Sequence, residues 1–141
     1  NKSVDSFHKD LGQFMWQECA MSRNREGLKK AISEIKKIKT SFWENVKIPR
    51  GNSQVNPELE KGLRLSDFLE LAELMCLDAL TREESCGAHF RDEYQTPEGE
   101  AMRGDEHFSF VSAWEYEEGA YKLNKEPLNF EYIKAIQRSY K

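Results

Sequence analysis

Phe68-Leu69-Glu70-Leu71-Ala72-Glu73-Leu74-Met75-Cys76-Leu77-Asp78-Ala79-Leu80-Thr81-Arg82 runs straight into Glu83-Glu84-Ser85-Cys86-Gly87-Ala88-His89-Phe90-Arg91-Asp92-Glu93-Tyr94. The first half is apolar on most sides of a helix, which suits a helix with neighbours on more than one face. Upstream, Asn56-Pro57-Glu58 reads as an N-cap, a proline at the first helical position and an acid in the first turn. The predicted helix therefore runs from Pro57 to Glu84. The second half crowds arginines, acids, a serine, a cysteine and a histidine around Gly87. Ending a helix takes only one residue in the left-handed conformation. The surplus polar groups must be satisfied by water, by the chain itself or by a partner.

Toward the N-terminus, two more helical patterns appear. Val4, Phe7, Leu11, Phe14, Met15 and Cys19 make one apolar stripe, predicting a helix from Val4 to Ser22. Leu28, Ala31, Ile32, Ile35, Ile38 and Phe42 make another, predicting a helix from Arg25 to Val46 with Asn24 as its N-cap. On its other face, Lys29, Lys30, Lys36, Lys37 and Lys39 alternate with Glu26 and Glu34, the pattern of a solvated, self-paired surface. Ile48-Pro49-Arg50-Gly51-Asn52-Ser53 breaks the chain before the third helix.

Toward the C-terminus, residues 95–107 carry Pro97, Gly99 and Gly104 and read as a loop. Phe108, Phe110, Trp114 and Tyr116 then alternate with smaller or polar residues, a strand with period two. Glu118-Gly119 is a turn signal, Ala120 to Lys125 returns as a second strand, and Pro127 ends it. The tail from Phe130 is expected as a helical turn or strand docked on the body. The fold class is thus mainly α: an antiparallel three-helix bundle, spectrin-repeat-like, over residues 1–94, with a loop, β-hairpin and tail over 95–141 packed on it as one domain.

Composition narrows the function classes. The chain has 141 residues, 33% of them charged, and a net charge of −4. A chain of this length buries roughly 70% of its unfolded surface without staples. The acidic balance argues against nucleic acid as a partner. No apolar run approaches a membrane span, and Asn1-Lys2-Ser3-Val4-Asp5 lacks the apolar core of a secretory signal. Cys19, Cys76 and Cys86 are an odd, widely spaced set, as expected of a reducing compartment. The start without methionine is expected of a piece of a longer chain.

Known chemistry motifs fail one by one. Cys86 and His89 have the C-x-x-H spacing of half a zinc site, but no second half is evident. His8 lies on the first helix, His107 in the loop, and Cys19 and Cys76 in apolar stretches where cysteine packs as a small hydrophobe. Ser85, Cys86 and His89 are close in sequence but lack a nucleophile elbow. Neither a glycine-rich dinucleotide fingerprint nor a phosphate loop occurs. No catalytic, cofactor-binding or metal residue is assigned, and no cofactor is expected in this chain itself.

The run Arg82-x-Glu84-Ser85-Cys86-Gly87-Ala88-His89-x-Arg91-x-Glu93 resembles a signature near the C-terminus of the flavoprotein subunits of succinate dehydrogenase and fumarate reductase. That pattern is close to Arg-x-Glu-Ser-Arg-Gly-Ala-His-x-Arg-x-Asp. Cys86 stands in place of an arginine, with the loss of a guanidinium donor, and Glu93 in place of an aspartate, with the charge kept. The opening helix with Leu11, Met15, Trp16, Arg23 and Gly27-Leu28 and the helix Leu69 to Arg82 are also similar to the family. Residues 93–101, Trp114-Glu115-Tyr116 and Pro127-Leu128 resemble the bacterial subgroup with a diheme cytochrome b anchor.

The resemblance implies a C-terminal helical domain of a larger subunit that interconverts succinate and fumarate. FAD would belong to the parent subunit, where FAD-binding and capping domains precede this one. Partners would be an iron–sulfur subunit and, indirectly, a membrane cytochrome b anchor. The location would be cytoplasmic, peripheral on the inner face of the bacterial membrane through those partners. Arg82, Glu84, Ser85, His89 and Arg91 are expected to form an interdomain docking set, satisfied largely by a domain outside this chain. Two other readings remain: the similar C-terminal domain of L-aspartate oxidase, and a free-standing helical interaction module.

Overall fold

A computed structural model describes residues 2–49 and 55–139. The predicted break at Arg50 to Ser53 lies outside the described residues, as do the last two residues of the tail. The element order is β1 (Lys2–Ser3), α1 (Val4–Glu18), α2 (Arg25–Asn45), β2 (Val46–Lys47), α3 (Pro57–Thr81), α4 (Asp105–Phe108), β3 (Phe110–Glu117) and β4 (Ala120–Pro127).

The two asparagines set the helix starts. The Asn24 side chain accepts from the Gly27 N–H at 2.8 Å, and Asn56 accepts from Glu58 and Leu59, both at 3.2 Å. Each cap satisfies donors that a first helical turn leaves free. The helices end earlier than the apolar periodicity suggests. α1 stops at Glu18 rather than Ser22, and α3 stops at Thr81 rather than Glu84. At both places the following backbone is taken up by the signature loop.

Directions follow from paired residues. β1, ahead of α1, pairs in parallel with β2, after α2, at Lys2↔Val46 and Ser3↔Lys47, so α1 and α2 run antiparallel. Lys36 reaches Glu73 and Lys39 reaches Glu70 and Glu73, so α2 and α3 are antiparallel too. The core is built from matching stripes: Val4, Phe7 and Leu11 of α1, Leu28, Ala31, Ile35 and Phe42 of α2, and Leu65, Leu69, Ala72, Cys76 and Ala79 of α3. Phe7 meets Phe42 edge-on, with ring centroids 5.5 Å apart and planes at 84°, the favourable quadrupole geometry.

The lysine face of α2 is less self-contained than its sequence suggests. Lys37 pairs with Glu34 at 2.6 Å, as the i,i+3 spacing predicts. Lys39, however, crosses to Glu70 at 2.8 Å and the buried Glu73 at 3.0 Å on α3. It serves as a tie between helices.

β3 and β4 form an antiparallel hairpin joined at Glu118-Gly119, both with positive φ (48° and 88°), the backbone of a type I′ turn. Phe108, expected in the strand, instead closes the single turn α4. The hairpin meets α3 through polar anchors. Trp114 Nε1 donates to Asp78 at 2.8 Å, and the Tyr121 hydroxyl donates to Glu70 at 2.8 Å. Among its described residues the tail is neither helix nor strand. Tyr132, Ile133 and Ile136 are exposed, and Gln137 rests on the loop through the Ala101 carbonyl at 2.6 Å.

Replacing Leu69 with alanine removes a fully buried side chain and should cost about 2–5 kcal/mol in urea unfolding. Leu71→Ala, on the exposed face of the same helix, should change stability by less than about 0.5 kcal/mol.

Candidate docking site

The signature loop begins where α3 releases the chain. The Arg82 guanidinium donates to the carbonyls of Phe108 (2.9 Å) and Phe110 (3.0 Å) and to Glu84 (2.9 Å). It also lies 4.7 Å from the Phe110 ring centroid, within cation–π reach. Glu84 accepts in turn from the Gly104 N–H at 2.9 Å. Arg82 therefore holds the entrance of the hairpin, and Glu84 holds Arg82. This explains why α3 ends three residues short: Arg82 is spent on the hairpin carbonyls.

Ser85, Arg91 and Glu84 are buried, and each hydrogen-bonds within the chain. The Arg91 N–H donates to Ser85 Oγ at 2.8 Å, and the Ser85 hydroxyl donates back to the Arg91 carbonyl at 3.2 Å. The Arg91 side chain is wholly buried and reaches under the last turn of α3. Its Nη1 donates to the carbonyls of Ala79 (2.8 Å) and Leu80 (3.2 Å), and its Nε to Glu93 (3.1 Å). A cation at the carbonyl end of a helix is favoured by the orphan acceptors and by the helix dipole. Nη2 has no hydrogen-bond partner among the described residues, and the guanidinium lies 5.4 Å from the Tyr94 ring centroid.

Cys86-Gly87-Ala88-His89 forms a tight turn. Cys86 and His89 exchange backbone hydrogen bonds at 2.8 and 3.0 Å, with Gly87 at φ +58°. Only glycine takes that conformation without strain, and its place as first central residue marks a type II′ turn. The turn presents His89 inward. Its Nε2 lies 2.9 Å from the Arg82 carbonyl, and its Nδ1 lies 3.0 Å from the Arg23 guanidinium. Arginine only donates, so Nδ1 accepts and the proton sits on Nε2.

Arg23 is the residue that the sequence reading missed as part of the site. It lies in the joint between α1 and α2. Its N–H donates to the Phe90 carbonyl at 3.1 Å, and its carbonyl accepts from the Asp92 N–H at 2.7 Å, pairing Arg23 with Arg91 as a parallel bridge. Glu93 completes the link by accepting from the Arg25 N–H at the start of α2. Its carboxyl is held below the usual range. Burial opposes this, but the bonds from the Arg25 N–H and from Arg91 outweigh it. The local sequence around Arg23 carries no signal of this role.

The expected set of Arg82, Glu84, Ser85, His89 and Arg91 is therefore one contiguous cluster. Most of its polar groups bond within the chain, while Arg91 Nη2 has no hydrogen-bond partner among the described residues. Cys86 and His89, the half zinc site, are instead the two ends of the turn. Among the described residues no group of three or more His, Cys, Asp or Glu could hold a metal.

Beside the loop, an apolar face stays uncovered. Trp16 (77% exposed), Met21 (84%), Leu71 (53%) and Met75 (46%) line the groove side of α1 and α3. A cavity of about 540 Å³ among Met15, Trp16, Cys19, Met21, Arg23, Met75 and Ala88 joins this face to the turn at Gly87.

Comparison with known proteins places this geometry. The family model described as the C-terminal part of fumarate reductase flavoprotein matches residues 8–140. The chain belongs to that family. The fumarate reductase flavoprotein subunit of Proteus vulgaris is 32% identical over 81% of this chain and 18% of its own length. An uncharacterized FAD-dependent oxidoreductase of Methanocaldococcus jannaschii is 34% identical over 65% of this chain and 16% of its own. An L-aspartate oxidase of Synechocystis is 26% identical over 62% of this chain. The chain thus spans less than a fifth of these first two relatives. An E. coli quinol fumarate reductase structure superposes with a TM-score of 0.83 at 24% identity, over 97% of this chain and 23% of that one, and so shares its fold.

His89 gives this family member a pH response. Burial, then the positive charges of Arg23, Arg91 and Arg82, lower its pKa, against the bond to the Arg82 carbonyl. The unfolded chain takes up that proton near pH 6.5, and the folded chain does so only at lower pH. Stability is therefore full above pH 6.5 and falls as the pH drops below it. Urea unfolding at pH 7.5 and 5.5 should show this loss, and His89→Gln should flatten it. Arg91→Met, which strips the cap from α3 and removes the ion-pair partner of Glu93, should cost about 1–3 kcal/mol in the same assay.

Proposed function

We propose that this chain is the C-terminal helical domain of a flavoprotein subunit that interconverts succinate and fumarate. Its role is to dock on a FAD-binding domain through the signature loop and the apolar face beside it. The observation that carries the reading is the family match across residues 8–140, centred on the Arg82–Glu93 signature. Arg82, Glu84, Ser85, His89 and Arg91 contribute by holding the loop in a fixed shape, so that docking costs little ordering entropy. In the parent subunit FAD would carry the hydride transfer. Electrons would then pass to an iron–sulfur subunit and a quinone through a membrane cytochrome b anchor.

Support for membrane attachment through partners comes from the relatives. Among the described residues no helix is long and apolar enough to cross a membrane. The inner, cytoplasmic face of a bacterial membrane is the proposed location. The second reading, the matching domain of L-aspartate oxidase, has its own relative at 26% identity over a shorter part of the chain.

Two measurements test the proposal. The reading frame upstream of residue 1 should continue into a glycine-rich nucleotide-binding domain; a start codon at residue 1 contradicts the reading. In the intact subunit, His89→Ala should lower flavin content or assembly with the iron–sulfur subunit. Full flavin and normal turnover in that variant would sink the docking role. Oxidation of succinate rather than aspartate by the intact subunit separates the two enzyme readings.

A further inference from the structure

The hairpin of β3 and β4 is fastened to the bundle without sharing its core. No residue of either strand is buried. Among the described residues none of the apolar core comes from the hairpin, and no backbone hydrogen bond joins β3 or β4 to a helix. Side chains make the attachment, at three points met one after another along α3 and its C-cap. The Tyr121 hydroxyl donates to Glu70 at 2.8 Å, Trp114 Nε1 donates to Asp78 at 2.8 Å, and Arg82 Nη2 donates to the Phe110 carbonyl at 3.0 Å. Glu70 is held in turn by Lys39 of α2 at 2.8 Å.

Between these points the hairpin and the helix do not close on each other. A cavity of about 290 Å³ separates them, with Ser112 and Trp114 of β3 on one side and Leu71, Leu74, Met75 and Asp78 of α3 on the other. A two-stranded hairpin is marginally stable by itself in water. Each side-chain bond adds only a modest net amount, because water competes for the same groups. The three-helix core has no partner in the hairpin to lose. The hairpin can therefore leave α3 at a cost well below that of unfolding the bundle.

We propose that the hairpin is a strap that opens as a unit, releasing Trp114 and Tyr121 together while the three helices stay folded. Opening bares the half-buried Leu74 and Asp78. They join Leu71 and Met75, which are already exposed on the same helix. The strap thus sets how much of the apolar face of α3 a neighbour can reach.

Native-state hydrogen exchange of the 141-residue chain, read by NMR, tests this. The cross-strand amides of β3 and β4 should exchange as one group, faster than the core amides of α2 and α3. Tyr121→Phe removes one attachment and keeps the ring. It should speed the hairpin amides about fivefold and leave the core amides unchanged. Trp114→Phe, which removes the bond to Asp78, should act in the same way. Ile35→Val in the core should do the reverse, speeding the core amides about twofold to tenfold and sparing the hairpin. Hairpin and core amides that slow and quicken together in Ile35→Val would show that the hairpin opens only when the whole chain unfolds, and would overturn the strap. Hairpin exchange unchanged in both Tyr121→Phe and Trp114→Phe overturns it too. None of these substitutions touches the signature loop, so a negative result here leaves the docking role standing.

Discussion

The buried guanidinium of Arg91 under the last turn of α3 is the interaction on which the rest of this structure depends. A charge taken fully out of water is costly unless it is paired and hydrogen-bonded. Here the acceptors are the Ala79 and Leu80 carbonyls, which α3 leaves open at its end, and the Glu93 carboxylate. Each need answers another: the helix lacks donors, and the arginine lacks acceptors. Once Arg91 is in place, Ser85 must close on its backbone, and Glu93 must sit at the start of α2. The loop is thereby fastened to α3, to the start of α2 and to the joint between α1 and α2.

A second arginine, Arg82, does the same for the C-terminal part. It spends its donors on the carbonyls that begin the hairpin, while Asp78 and Glu70 on α3 receive Trp114 and Tyr121. The hairpin is held by directional polar bonds rather than a shared apolar core. The three-helix core, by contrast, is apolar and conventional. What remains exposed is a continuous apolar strip on α1 and α3 next to a rigid polar turn. A fixed loop beside an uncovered apolar face is what the proposed docking on another domain requires.

Much of this was legible in the chain. The stripes of α1, α2 and α3 and both asparagine caps follow from periodicity and capping chemistry, because they are local. The turn at Glu118-Gly119 was legible through Gly119, since glycine takes a positive φ without strain. The ends of α1 and α3 were not, because apolar periodicity continues past the point where Arg23 and Arg82 are drawn into tertiary hydrogen bonds. Lys39 looked solvated because its acceptors lie on another helix. Arg23 escaped notice for the same reason: its partners, Phe90, Asp92 and His89, are far away in sequence. The signature residues were identified, but their bonds to the end of α3 and to the joint before α2 were not legible, since loop and helix ends meet only in three dimensions.

If Arg91 holds the loop to the bundle in the absence of any partner, its backbone amides are slow to exchange. Native-state hydrogen exchange of the Arg91 and Asp92 amides, which donate to Ser85 Oγ and to the Arg23 carbonyl, reads this directly. Protection matching that of the α2 and α3 core amides is the expected result. Exchange at the rate of an unstructured loop, with the helices still protected, would show that the loop is ordered only by a partner and that Arg91 does not anchor it.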